Sequence, residues 1–241
     1  MADDIPVAQR SQPQRPPRSP FLNRLGLLGL GVSALVVGLA LLFPEPLRLW
    51  LTPPPVRGLD ARTSADGRLL GHFPYEEASA AELVEVAPGQ ALQRDAAQAL
   101  LAMQRAAVAD GVQLVVLSAF RPAELQEELF FAIKSERNQS ALERAQVSAP
   151  PGFSEHSTGY AVDLGDAYAP QSNLSVSFET TQAFSWLQAN AARYHFILSF
   201  PEGNVQGVSY EPWHWRFEGT AAALQVFEPA HRLSRASDTG P

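Results

Sequence analysis

The chain of 241 residues contains no cysteine. That excludes disulfides, cysteine nucleophiles and thiolate metal ligands. It leaves the compartment open, because a domain of this size folds without disulfides in an oxidising space. Clustered basic charge is also missing from most of the chain. The net charge is −7, and residues 1–24 hold Arg10, Arg15, Arg18 and Arg24 against Asp3 and Asp4. That segment carries +2, so the remainder carries −9. An acidic body argues against nucleic acid as the main partner, because neutralising phosphates requires clustered Lys and Arg. There is no internal repeat. Hydrophobic residues make up 46%, enough for a sizeable core in one or two domains.

Charge is absent again from residues 25–43, a run of 19 reading LGLLGLGVSALVVGLALLF. This is about the length that spans a bilayer as a helix. Arginines precede it, while Glu45 and Arg48 behind it cancel. Positive-inside bias then puts residues 1–24 in the cytoplasm and residues 44–241 outside. The sequence predicts a single-pass signal anchor in the cell membrane, with the domain behind it on the periplasmic or cell-wall side. A cleaved signal peptide is the competing reading, with Gly38, Leu39 and Ala40 as the small-residue site. The polar segment ahead of the run is long for a signal peptide, and the run exceeds a typical apolar region. Residues 1–24 read as a disordered tail. Residues 44–70 read as a Pro-rich linker, 71–230 as the folded domain and 231–241 as a flexible tail.

Inside 71–230 the hydrophobic period alternates. Residues 90–109 put Leu92, Ala96, Leu100, Met103 and Ala107 on one helical face, and Gly111 ends it. Residues 112–117 are a β-branched run and predict a buried strand. Pro122 opens a second helix with an apolar stripe of Leu125, Leu129, Ala132 and Ile133. Residues 140–153 hold Pro150, Pro151 and Gly152 and predict a loop. Residues 160–164, 196–200 and 208–218 predict strands, and Thr180 or Thr181 caps a helix running to Tyr194. The expected fold is α+β: helices flanking a small, mostly antiparallel sheet, preceded by one transmembrane helix.

Three stretches carry chemistry. SEHSTGYAVDLGD at 154–166 holds His156, Asp163 and two glycine hinges. YEPWHWRFEG at 210–219 holds Glu211 and His214. SAFRPAELQ at 118–126 puts Arg121 at the end of a strand. Singly, each has a plainer reading: Asp163 as a turn cap with Gly165, Glu211 and Arg216 as a surface ion pair. Jointly, two histidines and an aspartate match a hydrolytic zinc site, which takes three protein ligands and leaves a fourth position for water. Bound zinc lowers the pKa of that water toward ~7. Glu211 is close to His214 in sequence but does not share its strand face, because faces alternate with period two. Pro212 places Glu211 on the preceding loop, with the strand starting near Trp213. Arg121 offers a planar fork for a carboxylate or a developing oxyanion.

The same stretches resemble the D-alanyl-D-alanine carboxypeptidases related to VanY. SEHSTGYAVDLGD resembles their S-x-H-x-x-G-x-A-x-D motif, and EPWHWRFEG their E-P-W-H-x-R-(Y/F)-x-G motif. SAFRPAELQ is similar to a third motif that begins with Ser, ends with Gln and has Ser or Thr where Pro122 stands. FILSFPEG resembles the segment leading into the last strand. The likeness spans residues 91–219 and belongs to a wider group of zinc peptidases that includes lysostaphin-type endopeptidases and the hedgehog domain. It implies zinc held by His156, Asp163 and His214, with Glu211 as general base and then acid. It implies that Arg121 stabilises the polarised carbonyl and that Gln126 and Ser154 line the substrate site. The implied substrate is the D-alanine-ended stem peptide of peptidoglycan. A D,D-dipeptidase, an L,D-carboxypeptidase and a wall endopeptidase use the same scaffold. A non-catalytic peptidoglycan-binding module is the rival of another class, and Glu211 argues against it. His195 stands where the family often has Gly, and His72 and His231 lie outside the motifs.

Overall fold

The structure, a computed structural model, describes Val56 and residues 58–238. The tail at 1–24 and the anchor at 25–43 lie outside the described residues, as does most of the linker before Val56. Among the described residues no helix is long and apolar enough to cross a membrane.

The described part is α+β. A hairpin of β1 (Leu83–Ala87) and β2 (Gln90–Gln93) leads into α1 (Arg94–Ala109). Then come β3 (Leu114–Ser118), α2 (Ala123–Glu136), α3 (Ala141–Ala145), β4 (Ala161–Asp166), α4 (Gln182–Asn190), β5 (Phe196–Leu198), β6 (His214–Phe217) and α5 (Ala221–Asp238). The main sheet has the order β3-β4-β6-β5 and is antiparallel throughout. The last of the described strands therefore sits between β4 and β5. The core lies against this sheet. Leu100, Met103 and Ala107 of α1 join Val162 and Leu164 of β4, Trp215 and Phe217 of β6, and Phe227 of α5.

Several local expectations are corrected. The α1 stripe is buried as its period predicts, but residues 90–93 pair with β1 instead of extending the helix. The turn at Pro88 and Gly89, with Gly89 at φ 71, reverses the chain there. The face of α2 is also turned from the predicted one. It buries Gln126 and Phe130, while Leu125 is 43% exposed. Phe130 is covered by Leu59, Leu69, Ala141 and Ala145. Packing thus begins before residue 71, and the linker ends earlier than 70, because Leu59 and Leu69 are needed to close this second apolar cluster. Residues 140–153 are not all loop. Ser140 and Glu143 form a reciprocal cap that starts α3. Residues 231–238 are not a tail but the end of α5, anchored through buried Ala223, Phe227 and Ala230. The last strand is confined to His214–Phe217, since Pro212 has no N–H for a ladder. Thr181, not Thr180, caps α4 by accepting from the Phe184 N–H.

Candidate metal centre

The sheet register brings two distant residues together. Asp163 on β4 is the direct pairing partner of His214 on β6. Residues opposite each other on neighbouring strands project to the same face. On the other side of β4, Asp163 pairs with Ser118 at the end of β3, three residues before Arg121. His156 arrives from a 3-10 turn at Glu155–Thr158, just ahead of β4. Gly159 closes that turn in the left-handed conformation, at φ 70. A side chain there would also approach Leu83 Cδ2 to 2.9 Å. The glycine is required twice, by backbone and by space.

The three residues form one buried cluster. His156 Nε2 lies 3.2 Å from Asp163 Oδ2, and His214 Nδ1 lies 3.0 Å from Asp163 Oδ1. The two rings meet edge to face, 4.8 Å apart. One ligand atom from each lies within 4.8 Å of the others. Atoms bound at about 2.0–2.1 Å to a tetrahedral ion stand roughly 3.3 Å apart, so the spacing suits such a cation. The outward nitrogens agree. His156 Nδ1 is 2.7 Å from the Ala119 carbonyl and donates to it, which leaves the Nε2 lone pair facing the cluster. His214 Nε2 is 3.0 Å from Glu155 Oε2, which leaves Nδ1 facing the cluster. The donor set fits a divalent zinc-like cation.

Charge is concentrated here. Burial alone would raise the Asp163 carboxyl, but His156 and His214 hold it well below its ordinary range. Burial would lower His214, yet hydrogen bonds to Asp163 and Glu155 push it up to about 10. Burial lowers His156. In the metal-free site the contacts with Asp163 and Glu155 thus favour the protonated form of His214.

Glu211 stands beside the cluster, with Oε2 3.9 Å from His214 Nδ1. It lies on the loop ahead of β6, and the His214 N–H donates to its carbonyl at 3.1 Å. This tight turn lets a residue three positions away face the same site. Burial pushes its carboxyl up to about 7, the His214 charge opposes that, and Asp163 and Glu155 add to it. Arg121 is held on both arms. Nη1 donates to Gln126 Oε1 and Nη2 to Ser118 Oγ, each at 2.8 Å. Its backbone N–H donates to the His156 carbonyl at 3.2 Å, and its carbonyl accepts from Ser157 Oγ at 2.9 Å. The strand-end arginine and the His156 turn are thus tied together.

Two expected substrate-lining residues are placed differently. Gln126 has no exposed surface; its amide donates to the Ala149 carbonyl at 2.6 Å and accepts from Arg121. It acts on the site through Arg121. Ser154 is buried at the start of the His156 turn, where its carbonyl accepts from the Ser157 N–H. The sequence reading missed Glu155, which touches His214, Ser199 and Arg216. It sits inside a recognised motif at an unassigned position, and its three partners are 44, 59 and 61 residues away in sequence. Nothing local marks it.

A family model described as VanY, D-alanyl-D-alanine carboxypeptidase, matches residues 89–220. A putative carboxypeptidase, YodJ, of Bacillus subtilis (strain 168) is 34% identical over 146 residues, covering 56% of this chain and 49% of its own length. A D-alanyl-D-alanine carboxypeptidase of Enterococcus faecalis is 34% identical over 132 residues, covering 51% of this chain and 46% of its own length. The chain thus spans about half the length of these curated relatives. Among solved structures, the LdcB LD-carboxypeptidase superposes with a TM-score of 0.55 at 28% identity, covering 70% of this chain and 83% of that one. VanYB in complex with D-Alanine-D-Alanine gives 0.53 at 28% identity, covering 70% and 94%. A point mutant of the D,D-pentapeptidase VanY in complex with Zn(II) gives 0.50 at 28% identity, covering 65% and 89%. With the family model covering more than half of the chain, and with its motifs gathered at one buried cluster, the chain belongs to the VanY family of D-alanyl-D-alanine carboxypeptidases.

Proposed function

We propose that the protein is a zinc-dependent D,D-carboxypeptidase that removes the terminal D-alanine from peptidoglycan stem peptides. One observation carries the reading: a buried set of three ligands, His156, Asp163 and His214, with an additional carboxylate, Glu211, beside it and outside the set. A structural zinc site closes with a fourth protein ligand, whereas a hydrolytic one keeps three and an acid-base group next to them. The family, the D-Alanine-D-Alanine complex of VanYB and the Zn(II) complex of the VanY mutant support the substrate and the metal.

Zinc would be held by His156 Nε2, the Asp163 carboxylate and His214 Nδ1, and would supply Lewis-acid polarisation and a more acidic water. Glu211 takes the proton of the attacking water and returns it to the departing amine nitrogen. Burial raises this carboxyl in the metal-free site, which favours its taking up a proton. Arg121, fixed by Ser118 and Gln126, holds its charge where the scissile carbonyl oxygen turns negative. His156 and Asp163 need no reorganisation, because Ala119 and β6 already fix them.

An L,D-carboxypeptidase is the second reading, favoured by the likeness to LdcB at the same 28% identity as VanYB. The test is one incubation. The protein with one equivalent of zinc is given a pentapeptide stem ending in D-Ala-D-Ala, and separately a tetrapeptide stem whose last bond joins an L-centre to D-alanine. Products are followed by mass spectrometry. We expect the pentapeptide to lose one alanine. Loss from the tetrapeptide alone would move the assignment to L,D cleavage. Release of a dipeptide or an internal cut would assign another specificity. No product with zinc bound would leave a binding module.

The proposal extends to location. The uncharged run at 25–43 supports a membrane anchor with the domain on the extracytoplasmic side. The protein is then expected to stay with membranes through an alkaline wash and to migrate at full length. A released product beginning near Leu41 would show a cleaved signal peptide instead.

A further inference from the structure

We propose that Glu155 is a positioning residue of the metal centre, fixing the proton of His214 on Nε2 so that Nδ1 offers its lone pair to the cation. The inference rests on the metal reading above. Glu155 is the neighbour of ligand His156 in sequence, yet it lies behind the other histidine. Its Oε2 accepts from His214 Nε2 at 3.0 Å and from Ser199 Oγ at 2.6 Å. Its Oε1 accepts from Arg216 Nη1 at 3.0 Å and faces the Tyr75 hydroxyl at 3.5 Å. Its side chain is 2% exposed, so the contacts are made away from water.

The need for such a group follows from the geometry of His214. A neutral imidazole carries one N–H, and the other nitrogen is the ligand. Asp163 Oδ1 and Glu155 Oε2 both stand 3.0 Å from this ring, on opposite nitrogens. Each carboxylate draws the proton to its own side. If Asp163 alone faced the ring, the proton would settle on Nδ1 and block ligation. Glu155 balances it from behind. His156 needs no such balance from a carboxylate, since the Ala119 carbonyl already takes its Nδ1–H. Arg216 keeps Glu155 in place. Arg216 and His214 are two residues apart on β6 and so share a face, and Glu155 spans both. Arg216 is itself held by Glu218 through Nε at 2.7 Å and lies over the Phe227 ring at 4.9 Å. The carboxylate is therefore charged, oriented and immobile.

A buried carboxylate also holds a fold together, so the test must read the metal. Zinc affinity of the full chain is measured by competition with a chromogenic chelator for the wild type and Glu155→Gln, alongside the melting curve and the visible spectrum of the cobalt-loaded proteins. We expect Glu155→Gln to bind zinc about 10–100-fold more weakly, with an altered cobalt spectrum. Wild-type affinity and spectrum in that variant would overturn the proposal. If Glu155→Gln does not fold, Glu155→Asp, whose shorter arm withdraws from Nε2, is titrated in its place, and wild-type affinity there would overturn it equally. A wild type that takes no zinc would overturn both this proposal and the metal reading. A wild type that binds zinc but cleaves no stem peptide would remove the substrate assignment and leave Glu155 to be judged on the affinities.

Discussion

Glu211→Gln is expected to bind zinc like the wild type, to melt at the same temperature and to hydrolyse its stem peptide about 10²–10⁴-fold more slowly. The exchange is nearly isosteric. It deletes only the capacity to hold a proton. Glu211 is not one of the three converging ligands, and its nearest charged partner in the cluster is 3.9 Å away. Removing its charge relieves the burial penalty, the largest influence on this carboxyl, while the attraction to His214 and Arg121 is lost together with the repulsion from Asp163 and Glu155. Stability therefore has no reason to fall. Zinc content by atomic emission and turnover of the pentapeptide stem by mass spectrometry are the two readouts. Turnover equal to wild type would remove Glu211 from the role of base. Loss of zinc together with turnover would make it a fourth ligand.

Asp163→Asn is expected to abolish zinc retention through gel filtration and to bring hydrolysis to background. Asp163 faces both histidines, one with each oxygen. An amide supplies one weak acceptor, and its NH2 group would donate to a ring nitrogen that must remain open for the metal. In the metal-free site His214 is favoured as the doubly protonated ring, and zinc would have to displace the proton on Nδ1, towards Asp163, while the Nε2 proton stays with Glu155. Because that proton belongs to a group raised from 6.5 to about 10, zinc binding competes with it over the whole neutral range. Apparent zinc affinity should rise with pH, about tenfold per unit for one released proton. The metal-free fold behaves in the opposite sense. A histidine raised above its unfolded value contributes stability that is complete below about 6.5 and is lost as pH rises through about 10. Chelator competition at three pH values between about 6 and 8, with melting curves of metal-free protein, checks both signs. A flat affinity across that range would mean that no proton leaves on binding.

The chemistry of the site was more legible in the sequence than its scaffolding. His156, Asp163 and His214 are recognisable because a metal needs particular atoms, and few residue types supply them. The helix of α1 was legible because its apolar positions repeat at a helical period. The face of α2 was not. Its most apolar stripe includes Leu125, but what it packs against is Leu59 and Leu69, whose distance in sequence gives no cue. Once they lie over Phe130, the buried stripe shifts by one residue and takes Gln126 with it. Gln126, with no exposed surface, then braces Arg121. Glu155 was invisible for the same reason. Its partners His214 and Arg216 come from β6, and Ser199 from the loop that follows β5, so only the closed sheet presents them together. The early start of packing at Val56 and the length of α5 likewise depend on contacts across the domain rather than on local pattern.

The place of β6 has a consequence for how the protein is made. It leaves the ribosome after the other described strands, and it inserts between β4 and β5 rather than joining an edge. A nascent chain that has released His156 and Asp163 still holds only part of a metal site, and β4 has a vacant flank until His214 pairs with Asp163. A one-residue slip in that pairing would turn Asp163 and His214 to opposite faces of the sheet. The three candidate metal ligands are therefore not brought together in truncated or mis-paired chains. The pairing that completes the sheet also completes the candidate metal site.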